Sequence, residues 1–110
     1  MNALESEILK NKNDLIEGTF CFELFEEKNF NEILFSKLII DIEEALKKSA
    51  PKPSIELKEF LVWFVMGMMH CIICHNDSND SYKIQDFSME KWHETYEIKL
   101  NGILMMLIKN

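Results

Sequence analysis

The sequence contains no arginine, and its negative charges outnumber its positive ones. Its 12 basic residues are all lysines, and they face 19 aspartates and glutamates, which leaves a net charge of −7. Arginine is the side chain best suited to bind phosphate, because its planar guanidinium donates paired hydrogen bonds. An acidic chain without arginine also repels a nucleic-acid backbone. We therefore expect no direct binding to DNA or RNA.

Glycine and proline are scarce too, with 3 and 2 residues respectively. An all-β fold requires many turns, which these residues supply. The hydrophobic fraction of 47% is sufficient for a packed core and argues against intrinsic disorder. The 110 residues therefore predict a single all-α domain over residues 1–110, built as a bundle of four to five helices.

Cysteine is limited to three residues, which cannot all pair within one chain. The first residues, MNALESEILKNK, include acids and lack the apolar run of a secretory signal. We therefore expect reduced thiols and a cytoplasmic location. The longest apolar run, residues 60–74, has 15 residues, which is shorter than the ~20 that a bilayer requires. A buried core helix fits this run better than a membrane span.

Apolar spacing in the first part of the chain predicts two helices. Residues 3–12 pair Leu4 with Ile8 at helical spacing, which indicates a short helix. Residues 14–28 are predicted to be helical with Asp14 as the cap. The stretch TFCFELF at 19–25 is also rich in residues that favour strands, so an extended piece is the alternative there.

The next helix has clear boundaries. Asn31 is a good N-cap, and Phe30 before it is placed to pack on Phe35. A broad apolar stripe follows, and the prolines of SAPKPS at 49–54 end the helix.

The central helix is predicted over about 54–75, with Ser54 as its cap. Because this segment is apolar on every side, we expect it at the centre of the bundle, and Gly67 would allow a neighbour to approach closely. The polar loop 75–81 follows it, and 82–87 (YKIQDF) is a second candidate extended piece.

Ser88 is predicted to cap the last helix. Its apolar side comprises Met89, Trp92, Tyr96, Leu100, Ile103 and Leu107, and its final turns, GILMMLI at 102–108, are apolar all round. That end should therefore be buried or paired with a partner.

Cysteine and histidine cluster in MMHCIICHND at 68–77, where Cys71-x-x-Cys74-His75 has the form of a c-type haem attachment motif. Such a haem requires an exported protein, which the N-terminus does not indicate. Cys71, Cys74 and His75 share a helical face and suit zinc, but structural zinc sites draw ligands from two segments. We therefore interpret these residues as packing residues, with a metal site as the alternative, and we expect no cofactor.

Motifs of catalysis are not found in the sequence. Glu90-x-x-His93 has the form of a di-iron element, but no second copy accompanies it. There is no phosphate-binding glycine loop, G-x-S-x-G or HExxH. We therefore predict that the protein is not an enzyme and has no catalytic residues.

The distribution of carboxylates is the strongest functional signal. Acidic residues and one tyrosine follow the central helix and continue into the last one: Asp77, Asp80, Tyr82, Asp86, Glu90, Glu94 and Glu97. Like charges at i, i+4 disfavour a helix slightly, so this series does not stabilise the helix itself. Either it only keeps the protein soluble, or it binds a cationic partner. A second cluster, Glu23, Glu26 and Glu27, is the second choice for the interface.

In its size and acidity over the whole chain, the protein resembles bacterial immunity proteins, including those of contact-dependent growth inhibition systems. The resemblance implies a protein that binds and neutralises one cognate basic toxin, often a nuclease, as a monomer in a heterodimeric complex. Tyr82, Phe87 or Trp92 would supply apolar anchors. The alternatives are a helical regulatory or scaffold domain that dimerises through residues 102–108, and a metal-binding protein.

Overall fold

A computed structural model describes residues 3–12, 16–48 and 53–109. Over these ranges it contains five helices and no strand, so the predicted all-α class is confirmed. The helices are α1 (Ala3–Leu9, continued by a 3-10 turn at Lys10–Lys12), α2 (Phe20–Phe25), α3 (Glu32–Lys48), α4 (Ile55–Asn76) and α5, which begins at Met89 and ends at Lys109.

The ambiguous stretch at 19–25 is a helix, α2. Its N-cap is Thr19, whose side-chain oxygen accepts the Phe22 N–H at 3.2 Å. The predicted cap, Asp14, lies outside the described residues, and α2 begins at Phe20. Phe20, Cys21 and Leu24 are buried, which means that their helical spacing outweighed the strand propensity of the segment.

The caps predicted for α3 and α4 are confirmed. The Asn31 side chain accepts the Leu34 N–H at 3.1 Å, and the rings of Phe30 and Phe35 lie 5.3 Å apart between centroids. Ser54 Oγ accepts the Leu57 N–H, also at 3.1 Å. These bonds satisfy backbone donors that a helix start leaves unpaired.

Helix α5 is interrupted by a π turn. It is α-helical over Met89–Lys91, π-helical over Trp92–Tyr96 and α-helical again over Glu97–Lys109. The Glu97 N–H donates to the Trp92 carbonyl, five residues earlier. The predicted cap Ser88 accepts the Lys91 N–H at 3.1 Å.

The aromatic side chains of α2, α3 and α5 meet in the core. Phe20 packs edge-on against Phe30 at 5.2 Å, and Tyr96 lies 4.4 Å from Phe30 and 5.1 Å from Phe35, measured between ring centroids. The Tyr96 hydroxyl donates to the Glu32 carboxylate at the start of α3. Because this bond stabilises the ionised carboxylate, it lowers the pKa of Glu32, and the nearby Lys91 ammonium adds to the effect.

Helix α4 is not enclosed on all sides, in contrast to the expectation for so apolar a helix. One face is buried and comprises Leu57, Phe60, Leu61, Phe64, Met68, Cys71 and Ile72. The other face is exposed and comprises Ile55, Val62, Met66, Met69 and Ile73. Among the described residues, α4 is the one helix whose length and composition would also allow it to cross a bilayer, and 39% of its apolar window is buried.

Gly67 marks the closest approach to α4, as predicted. A Cβ atom built at Gly67 would lie 2.8 Å from Cζ of Phe25, which is too close for two carbon atoms. The Phe25 ring, in turn, stacks edge-on against Trp63 at 5.4 Å between centroids. A side chain at position 67 would therefore displace the Phe25 ring.

We predict that alanine stabilises the protein at one of the two helical glycines and not at the other. Gly102 has open space around it, so Gly102→Ala should raise the free energy of unfolding by about 1 kcal/mol through helix propensity alone. Gly67→Ala gains the same propensity but forces the Phe25 ring to move, so it should show no gain or a loss. Urea unfolding of both variants measures the difference, and an equal gain at both positions would contradict the close contact.

Candidate protein-binding surface

The polar loop after α4 is shaped by two of its own aspartates. Asp77 accepts the Asn79 N–H at 2.9 Å, and Asp80 accepts the Tyr82 N–H at 2.8 Å. Such bonds from a side chain to the backbone two residues later are typical of tight turns. Asp77 and Asp80, both predicted for the interface, therefore also hold the loop in shape.

Lys83 is turned towards the backbone of the same loop. Its ammonium donates to the carbonyls of Asp77 and Asp80 at 2.8 and 2.9 Å, and reaches the Cys74 carbonyl at 3.5 Å. A cation is favourable there because the carbonyl end of a helix carries partial negative charge. The positive charge of Lys83 thus serves the end of α4.

The segment 82–87 forms no strand but packs on the end of α2. The Tyr82 hydroxyl donates to the Leu24 carbonyl at 2.6 Å. Gln85 forms an isolated parallel bridge with Asn29, through bonds of 2.7 Å to the Lys28 carbonyl and 3.0 Å from the Phe30 N–H. These contacts place the loop acids beside the end of α2, so the two acidic clusters treated as alternatives are neighbours.

His75 anchors this segment from the end of α4. Its Nδ1 accepts the Ile84 N–H at 2.9 Å, and its ring meets the Phe87 ring edge-on at 5.3 Å between centroids. Burial and the Lys83 ammonium both lower the pKa of His75. The ring must be neutral at Nδ1 to accept this bond.

The second acidic cluster divides into two roles. Glu23 accepts the side-chain amides of Asn29 and Asn31 at 3.0 and 3.2 Å, so it holds the α2–α3 connection together. Glu26 and Glu27 are exposed. Of this cluster, Glu26 and Glu27 are the members free to contact a partner.

The acids of α5 lie on its exposed side. Asp86, Glu90, Glu94 and Glu97 are all solvent-exposed. Glu97 lies 3.7 Å from His93, and Lys91 instead reaches the Glu32 carboxylate at 3.0 Å. Asp86 has a left-handed backbone, with φ of 56°, directly after the bridge at Gln85.

One predicted anchor is corrected by the structure. Trp92 is only 2% exposed and belongs to the core, so it cannot insert into a partner. Its position on the apolar stripe of α5 already favoured burial. Tyr82 and Phe87 are partly buried and keep an accessible edge.

Cys71, Cys74 and His75 do not converge on one point. Cys71 is buried, which raises the pKa of its thiol, and His75 uses Nδ1 for the Ile84 amide. Cys74 Sγ lies 3.6 Å from His70 Nε2. Within residues 3–12, 16–48 and 53–109, no three His, Cys, Asp or Glu side chains are grouped so that they could hold a metal ion.

An open apolar groove of about 510 Å³ runs along α4, and the sequence did not reveal it. We call it the α4 groove; its lining comprises Phe25, Val62, Trp63, Met66, Gly67, His70, Cys71 and Tyr82. The sequence feature that could have predicted the groove is that α4 is apolar on every side, while few residues remain to cover this helix.

No protein-family model matches the sequence, and no match was found among the curated proteins or the solved structures.

We predict that mild acid loosens the docked loop. Folding lowers the pKa of His75. The stabilisation that its neutral ring gives the docked loop is therefore complete above the unfolded pKa of about 6.5, and it is lost as the pH falls through the folded pKa. The protection factor of the Ile84 amide, which is the ratio of its intrinsic to its observed exchange rate, should therefore fall as the pH drops below about 6.5. NMR measures this exchange directly.

His75→Asn provides the test of cause, because its side-chain oxygen can replace Nδ1 as an acceptor but does not titrate. The pH dependence of the protection factor should disappear in this variant and persist in His93→Asn, whose histidine is exposed on α5. If His75→Asn retained the wild-type profile, His75 would not be the anchor.

Proposed function

We propose that the chain is an immunity or antitoxin protein, which binds and neutralises a basic protein toxin through its acidic surface. One observation carries the proposal: three lysines on this side each contact another group of the molecule, while all but one of the predicted interface carboxylates other than Glu23 are exposed. Lys83 binds loop carbonyls, Lys91 binds Glu32, and Lys28 lies over the Tyr82 ring at 5.8 Å.

The acids available to a partner come from three parts of the chain. They are Glu26 and Glu27 after α2, Asp77 and Asp86 in the loop region, and Glu90 and Glu94 on α5. Among the described residues, no lysine lies within 4.0 Å of any of these six carboxylates. Such a surface attracts a cationic protein at long range and disfavours acidic ones.

A nuclease toxin is the partner class that this surface suits best. A nuclease must carry positive charge where it holds phosphate, and the acidic surface would compete with nucleic acid for that charge. The chain would act by occupying the cleft or by covering its edge, and it would need no catalytic residue or cofactor of its own.

A helical scaffold domain acting by homo-oligomerisation is the second candidate. It rests on the end of α5, where Met105 and Ile108 are 43% and 74% exposed while Ile103 is buried. Light scattering at two concentrations separates the two proposals. A mass that remains that of a monomer favours the heterodimeric complex.

The proposed function can be tested by charge reversal. The triple variant Glu90→Lys, Glu94→Lys, Glu97→Lys should slow association with the basic toxin by roughly tenfold or more at low salt and reduce the dependence of the rate on salt. The partner would be taken from the source cell as a basic protein whose expression arrests growth, and the chain should restore that growth. Stopped-flow binding measures the rate.

A matched control separates local from overall charge. Glu17, Glu43 and Glu56 belong to other segments (the residues before α2, helix α3 and the start of α4), and reversing these three changes the net charge by the same amount. This control should retain more of the wild-type rate. Equal loss in both triple variants would contradict the assigned surface, and growth arrest that the chain does not relieve would contradict the function.

A further inference from the structure

We propose that the α4 groove receives an amphipathic, lysine- or arginine-rich helix of the protein partner. The inference rests on the proposed function and adds to it a second, apolar contact site. Acidic residues alone steer a partner, whereas a desolvated apolar contact is what usually keeps a complex together.

The floor of the groove is part of an exposed apolar stripe on α4. Val62 and Met66 line the groove and are 63% and 66% exposed, and Ile73, which is 65% exposed, continues the stripe beyond it. They recur at intervals of four and seven residues, so they lie along one side of α4. Thioether side chains such as Met66 adapt readily to different apolar partners.

The walls of the groove come from α2 and from the docked loop. Phe25 forms one wall and contacts Trp63, and Tyr82 forms part of the other. Tyr82 is fixed by its bond to the Leu24 carbonyl, and burial raises the pKa of its hydroxyl, which therefore stays protonated and keeps donating. The walls are thus held in place before any partner arrives.

The length of the groove matches a short stretch of helix. From Val62 to Cys71 the groove follows ten residues of α4, which is a rise of about 13.5 Å or roughly two and a half helical turns at 1.5 Å per residue. A partner helix with apolar residues at i, i+4 and i+7 would present a stripe of that length.

Charge around the groove selects a basic occupant. Residues close in sequence to the groove lining include more carboxylates than lysines: Glu26, Glu27, Glu59, Asp77 and Asp80, against Lys28, Lys58 and Lys83. A second copy of the chain would bring together two molecules that each carry −7. An anionic membrane would be repelled in the same way.

The test uses a synthetic helix as the probe. A fluorescein-labelled peptide of about 18 residues, long enough to be helical, would carry leucine at i, i+3, i+4 and i+7 and lysine elsewhere. It should bind the full chain at least tenfold more tightly than a peptide of the same composition with scrambled spacing, or than one with glutamate in place of lysine. Fluorescence anisotropy gives the Kd, and quenching of Trp63 reports on the groove, because Trp92 is buried.

Matched variants locate the binding site. The double variant Val62→Thr, Met66→Gln should weaken peptide binding at least tenfold. Both substitutions keep the approximate size of the side chain but remove apolar surface. Ile98→Thr, at a residue 61% exposed on α5, should leave peptide binding unchanged. All three positions are exposed, so the fold should tolerate them.

The outcomes distinguish this inference from the proposed function. The Val62/Met66 variant could bind the peptide or the toxin as the wild type does, while the Glu90/Glu94/Glu97 variant loses toxin binding. This result would overturn the α4 groove as a binding site and leave the toxin-binding proposal standing. Self-association of the chain that the Val62/Met66 variant abolishes would overturn it in favour of a second copy. Binding to phosphatidylcholine vesicles in place of the peptide would overturn it in favour of a lipid surface.

Discussion

The length of α4 relative to the helices that pack on it is the constraint from which the main features of this structure follow. Its 22 residues extend about 33 Å, while α1 and α2, with seven and six residues, extend about 10 Å each. Both pack against α4, but neither can cover its whole circumference. The apolar stripe and the groove are what remains uncovered.

Side-chain hydrogen bonds shape the loop after α4 and hold it at the end of that helix. Aspartate side chains close its turns, Lys83 satisfies carbonyls at the helix end, and His75 holds the Ile84 amide. As a consequence, the Lys83 ammonium is held at the loop carbonyls, while Asp77 remains exposed.

An acidic surface next to an apolar groove is a combination suited to recognising another protein. Long-range attraction speeds the encounter, and burial of apolar surface slows dissociation, so the two features act on different steps of binding. Two of the three cysteine thiols are unsuited to nucleophilic chemistry. Burial raises the pKa of Cys21 and Cys71, which keeps both thiols protonated and unreactive at neutral pH.

The sequence by itself determined the helices, the caps at Asn31, Ser54 and Ser88, the close approach at Gly67 and the net charge, because each depends on residue type and short-range spacing. It left α2 ambiguous, it offered Trp92 as a partner anchor although its place on the apolar stripe favoured burial, and it missed the structural role of Glu23 and the open side of α4. Only the tertiary structure decided these, because they depend on contacts between distant segments. The Tyr82 hydroxyl meets Leu24 across 58 residues and the Tyr96 hydroxyl meets Glu32 across 64, and no local pattern specifies such pairs.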